Sequence, residues 1–156
     1  MLNKPVEQWL SEYGESHQNP VNKQIHWVCV PVILWSVLAL LWPLGYSTLP
    51  WLNAATILIA ISILFYARLS WTLTLGMGVI AALSVALILF YQSLALSLPL
   101  WAFAMIVFVL AWIGQFVGHK IEGKKPSFFE DIQFLLIGPA WLMSFVYRKF
   151  GIPLSR

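Results

Sequence analysis

Between Gln24 and Val117, 94 consecutive residues, the chain carries one charged side chain, Arg68. A chain of 156 residues cannot bury so long an apolar stretch within a water-solvated core, so lipid is its expected solvent. In hydrocarbon every backbone polar group must find a partner within the protein, which leaves helices or a closed barrel as spanning structures. The apolar runs here approach twenty residues each and lack the two-residue alternation of barrel strands, so an all-α membrane helical bundle is expected. Composition agrees: 60% of residues are hydrophobic and 10% charged, against roughly 45–50% and 25% in soluble domains.

Four spans are expected: Ile25 to about Trp42, about Leu49 to Tyr66, about Leu69 to Tyr91, and about Leu98 to His119. The first opens at the cap-plus-proline pair Asn19-Pro20 and carries an internal Pro31, which predicts a kink. Ahead of it, Asn3 and Pro5 read as a helix start, and Val6, Trp9, Leu10 and Tyr13 recur at helical spacing up to Gly14. That pattern predicts a short amphipathic helix lying at the membrane interface, with Trp9 and Tyr13 as anchors. The first 25 residues hold no apolar core or small-residue cleavage site of a signal peptide, so the first span is expected to stay as an anchor. After the fourth span, a polar stretch from Lys120 to Asp131 precedes Ile132 to Tyr147, about 16 residues broken by Gly138-Pro139 and followed by Arg148 and Lys149. This is short for a crossing, and a re-entrant or interfacial helix pair is expected in place of a fifth span.

The basic residues then set an orientation. Lys4 and Lys23 precede the first span, Arg68 sits between the second and third, and Lys120, Lys124, Lys125, Arg148, Lys149 and Arg156 follow the fourth. The other two connections, Pro43 to Pro50 and Gln92 to Leu98, are uncharged. The positive-inside rule places both termini and the Arg68 turn in the cytoplasm, with Trp42, Trp51 and Trp101 at the opposite interface. The whole chain reads as one integral membrane domain: a cytoplasmic arm over 1–24, four spans over 25–119, and a cytoplasmic loop and tail over 120–156. A net charge of +3 without a basic face gives no basis for nucleic-acid binding. The single cysteine, Cys29, excludes an intrachain disulfide.

Chemistry concentrates at the polar ends of the spans. All three histidines, His17, His26 and His119, fall there, and the deduced topology puts them on one face of the membrane. Neutral imidazole binds iron, zinc and copper alike, and three imidazoles leave open coordination positions for substrate. On the fourth helix Gln115, His119 and Glu122 share a face at i, i+4, i+7, and Asn22 lies one turn before His26, so these three polar residues are candidates to orient the imidazoles. Gly114-x-x-x-Gly118 would let another helix approach His119 closely, and would serve a homodimer equally well. Lys120, Lys124 and Lys125 are candidates for holding topology, meeting anionic membrane lipid, and drawing in a carboxylate.

Two blocks carry a resemblance. Tyr13 followed by His17-x-x-Pro-x-Asn-x-x-x-His26 and Val30-Pro31, together with Gln115-Phe-x-Gly118-His119-x-x-Glu122-Gly-x-x-Pro126, resemble the Mpo1-like family over nearly the whole chain. The resemblance implies a multispan dioxygenase that uses Fe(II) and O2 to shorten a long-chain 2-hydroxy fatty acid by one carbon. It also implies that His17, His26 and His119 are the essential, metal-binding histidines. The expected location is a bacterial inner membrane, or the endoplasmic reticulum if eukaryotic. Converting a 2-hydroxy acid to the shorter acid and CO2 removes four electrons, which O2 can accept without an external reductant. The absence of a dinucleotide fingerprint such as GxGxxG fits that balance. Two other classes fit the residues alone: a zinc-dependent membrane lipid hydrolase using the same histidines, and a non-catalytic membrane adaptor.

Overall fold

The computed structural model describes residues 4–46, 48–125 and 133–154. Six helices follow in order: α1 (Val6–Glu15), α2 (Pro20–Leu41), α3 (Ala54–Leu69), α4 (Trp71–Ser93), α5 (Leu100–Glu122) and α6 (Phe134–Phe150), with a small antiparallel hairpin of β1 (Gly45–Tyr46) and β2 (Leu49–Asn53) between α2 and α3. The fold is therefore a helical bundle, and α2, α4 and α5 are long and apolar enough to cross a membrane. Their outer faces expose residues such as Leu75, Val79, Leu83, Ile106 and Leu110, as expected where lipid is the solvent.

Local chemistry sets the ends of these helices. Asn19 caps α2 by accepting from the Val21 N–H, with Pro20 at the first helical position. Ser70 separates α3 from α4 with an extended backbone and caps α4 through the Leu73 N–H. Gly123 stops α5 in the left-handed region at φ 73°.

The second span begins later than its sequence suggests. Leu49 to Asn53 pair with the preceding strand, and the helix starts at Ala54, where Asn53 and Thr56 form a reciprocal capping box. The 16 residues of α3 cover about 24 Å at 1.5 Å per residue, less than a roughly 30 Å hydrocarbon core.

Two expectations are corrected by packing. The apolar face of α1 does not anchor in lipid: Val6, Trp9, Leu10 and Tyr13 are buried against α6. Trp9 meets Phe134 edge-on at 5.6 Å, and Tyr13 lies 5.4 Å from Trp141. The aromatic stripe read as a lipid anchor is core because α6 supplies a complementary aromatic face. Nor does Gly138-Pro139 split the C-terminal segment, since α6 runs unbroken from Phe134 to Phe150. Pro139 removes a bond to the Leu135 carbonyl, and close by the Tyr66 hydroxyl donates to the Leu136 carbonyl at 2.7 Å, tying α6 to α3. Gly138 lets the Tyr13 ring in, because a Cβ there would sit 2.9 Å from the Tyr13 hydroxyl. Asn3 and Ile132, assigned to helix ends from sequence, lie outside the described residues.

Two buried clusters result. One gathers α1, α6 and the facing parts of α2, α3 and α4; the other, around Leu38, Ala39, Ala55, Ile88 and Ala104, closes the opposite end of the bundle.

Candidate metal centre

Three elements deliver the histidines. His17 lies in the connector between α1 and α2, His26 near the start of α2, and His119 in the last turn of α5. All three are buried, and one nitrogen from each falls within 4.8 Å of the others. Among the described residues, no other group of His, Cys, Asp and Glu offers such a set.

Hydrogen bonds fix two of the rings. The α1 helix ends at Glu15, where the Ser16 and His17 N–H groups turn back to the Tyr13 and Gly14 carbonyls at 3.4 and 3.0 Å. His17 Nδ1–H donates to one of them, the Tyr13 carbonyl, at 2.6 Å. His26 Nδ1–H donates to the Asn22 carbonyl at 2.9 Å. Both rings therefore turn Nε2 inward, and the two Nε2 atoms stand 2.9 Å apart. Tyr13 stacks on His17 at 4.2 Å, and Trp141 packs against it at 5.2 Å. Burial lowers the His17 pKa to about 4, so its ring is neutral at pH 7.

This donor set fits a metal. With Nδ1 committed as a donor on both rings, Nε2 of each neutral ring is left as a lone pair, and two such lone pairs facing each other are an arrangement that a shared cation relieves. Two imidazole nitrogens bound about 2.0–2.1 Å from one ion in adjacent positions are themselves about 3 Å apart. Nδ1 of His119 is buried without a hydrogen-bond partner, and its ring lies 5.0 Å from both other imidazoles. An orphaned donor atom beside the pair is the feature a third ligand would show.

The GxxxG motif brings α2 and α5 into register. A Cβ at Gly114 would stand 2.7 Å from Cys29 Sγ, and one at Gly118 would stand 2.4 Å from Asn22 Oδ1. The motif is thus filled by α2 of the same chain, which leaves that pair no free face for a homodimer. Cys29 serves this packing as a small half-buried residue.

The polar neighbours act differently from one another. Glu122 does not bond an imidazole; its carboxylate accepts from the Gln18 and Asn19 backbone N–H groups at 2.8 and 2.9 Å and from Asn22 Nδ2 at 3.0 Å. It pins the connector that carries His17 onto the end of α5. Asn22 meets His26 through its backbone carbonyl, while its side-chain nitrogen also reaches the Ser16 carbonyl. Gln115 is buried one turn below His119, with Oε1 unpartnered. Lys124 Nζ donates to the Glu15 carbonyl at 2.8 Å, while Lys120 and Lys125 are exposed.

From His26, His119 and Tyr13 a cavity of about 530 Å³ runs between α2, α3 and α5, walled also by Met77 and Ala81 of α4 and by the first turns of α6, past Val30, Leu34 and Trp112, to Leu38, Leu58 and Ile59.

A family model described as 2-hydroxy-palmitic acid dioxygenase Mpo1-like matches residues 3–150. The chain belongs to the Mpo1-like family. A curated relative within it, the 2-hydroxy-palmitic acid dioxygenase MPO1 of Saccharomyces cerevisiae, is 31% identical over 146 residues, covering 91% of this chain and 79% of the relative. No solved structure gives a significant match. Within this Mpo1-like chain, sequence reasoning singled out Asn22 as a partner of His26, though through its side chain and not its carbonyl, and missed Trp141 and the Tyr13 carbonyl as partners of His17. The i to i+4 spacing of Tyr13 to His17 was the available signal.

Proposed function

We propose that this protein is a non-haem Fe(II) dioxygenase that converts a long-chain 2-hydroxy fatty acid and O2 to the one-carbon-shorter fatty acid, CO2 and water. The observation that carries the reading is the inward-facing set of nitrogens from His17, His26 and His119 at the head of an apolar cavity, in a chain of the Mpo1-like family. Iron held by these three residues would supply O2 activation with coordination positions left open.

The chain's own groups do the rest. The Tyr13 and Asn22 carbonyls hold two imidazoles in one tautomer, so that no ring has to reorient during turnover. Gln115 Oε1, unpaired and facing the same cavity as His119, accepts a hydrogen bond from the substrate's 2-hydroxyl. The aromatic packing of Tyr13 and Trp141 on His17 keeps water from that side of the site. Lys120 and Lys125, exposed at the end of α5, draw the carboxylate toward the surface.

The test is oxygen consumption by purified protein loaded anaerobically with Fe(II). With 2-hydroxyhexadecanoic acid, O2 uptake should match release of the fifteen-carbon acid, and hexadecanoic acid should give neither. Product that forms equally without O2, or with zinc in place of iron, would overturn the dioxygenase reading in favour of a zinc hydrolase.

A further inference from the structure

The cavity under the histidines, about 530 Å³, has the size of a ligand pocket. Its position along the helices gives it a shape. On α2 it reaches from His26 to Leu38, and on α5 from His119 to Phe108. At 1.5 Å per residue those spans are about 18 and 16 Å. Among the described residues, no Asp, Glu, Lys or Arg lines it. At its far end Leu38 is buried with Ala55, Ile88 and Ala104, and the half-buried Leu58 and Ile59 pack against that layer.

We infer that this cavity is the binding channel for the single acyl chain of the substrate, running from the histidines toward the bilayer centre, and that the layer at Leu38, Leu58 and Ile59 sets an upper limit on chain length. The inference rests on the proposed function for the identity of the head group. A zigzag carbon chain advances about 1.25 Å per bond, given C–C bonds of about 1.5 Å, so the channel takes about 14 carbons below the head. A bilayer lipid could offer the same methylenes. The histidine cluster at one end and the packed apolar layer at the other instead match a chain with one small polar head and a free tail. Ser62 stands on α3 one turn from Leu58 and one turn from Tyr66, so a large side chain there would plug the channel midway.

Photolabelling tests this without requiring turnover. A 2-hydroxy fatty acid with a diazirine on its terminal carbon should, in the Fe(II)-loaded protein, label the peptides around Leu38, Leu58 and Ile59, and excess 2-hydroxyhexadecanoic acid should suppress the label at least tenfold. A phosphatidylcholine with the same diazirine chain should label the outward-facing Leu75 and Val79 instead. Label from the hydroxy acid confined to those outer residues, or label at Leu38 and Ile59 from the phospholipid alone, would overturn the inference. In Ser62→Phe, with iron content unchanged, the sixteen-carbon acid should bind at least tenfold more weakly while a 2-hydroxy acid of eight carbons binds as before. An unchanged length profile would overturn it too. Labelling at the far end in a protein that consumes no O2 would leave the channel standing and the dioxygenase reading fallen, and turnover with label only on the outer faces would do the reverse.

Discussion

At the residue scale the centre depends on groups that never touch the metal position. Glu122 is the clearest case, because its carboxylate takes three donors from the connector and the start of α2. Replacing one oxygen by an amide sets N–H against N–H, so Glu122→Gln should release the connector and loosen His17. Metal affinity is expected to fall about 10–100-fold, the usual effect of losing a group that orients a ligand, while each of His17→Ala, His26→Ala and His119→Ala should lose most of the bound iron. Competition with a chelator of known affinity measures both, with circular dichroism as the check that the helices still form. Unaltered affinity in Glu122→Gln would show that the connector needs no such clamp. The histidines themselves were legible from sequence because they are the chain's only three and all sit at span ends. The part played by Glu122 was not, since the partners of a carboxylate 104 residues away in sequence from Gln18 follow from tertiary packing.

At the scale of elements, the pairing of α2 with α5 determines whether the histidines meet. Small residues let these helices approach until Cys29 fills the space above Gly114. A methyl group at Gly114 would come within 2.7 Å of Cys29 Sγ, so Gly114→Ala should lower stability by about 1–3 kcal/mol, the cost of overpacking, and reduce metal occupancy. Removing the sulfur should restore both in Gly114→Ala/Cys29→Ala, and thermal unfolding of the four proteins in detergent completes the cycle. Failure of the second change to rescue the first would place the two residues apart. Periodicity revealed α2, α4 and α5 because each is a long apolar run with its own cap or proline. It misread the anchoring face of α1, because a helix face that packs on another amphipathic helix has the same sequence pattern as one that lies on lipid, and only the partner distinguishes them; in α6 it read Gly138-Pro139 as a break that the helix absorbs. Trp9 and Tyr13 found their partner in Phe134 and Trp141.

At the scale of the whole molecule the bundle is polarised. Both halves of α6 return to the histidine end: Phe134 and Trp141 pack against α1, and the Tyr147 hydroxyl donates to the Thr72 carbonyl in the first turn of α4. The other end holds the hairpin and the 94–99 connection, where Tyr91 bonds the Leu98 carbonyl. Lys23, Arg68, Lys120, Lys124, Arg148 and Lys149 belong to segments at the histidine end, and the positive-inside rule turns that asymmetry into an orientation. Single cysteines introduced in a Cys29→Ala background test it in intact inverted and right-side-out vesicles. Leu44→Cys and Leu96→Cys should react with an impermeant maleimide only from outside, whereas Arg68→Cys, Lys124→Cys and Lys149→Cys should react only from the cytoplasmic side. Reaction of Lys149→Cys from outside would mean that α6 crosses the membrane, and opposite labelling of Arg68→Cys and Lys124→Cys would break the even number of crossings between them. The expected pattern would put the proposed metal centre where a water-soluble iron donor and a carboxylate head can reach it from the cytoplasm, with the proposed acyl channel pointing away from both.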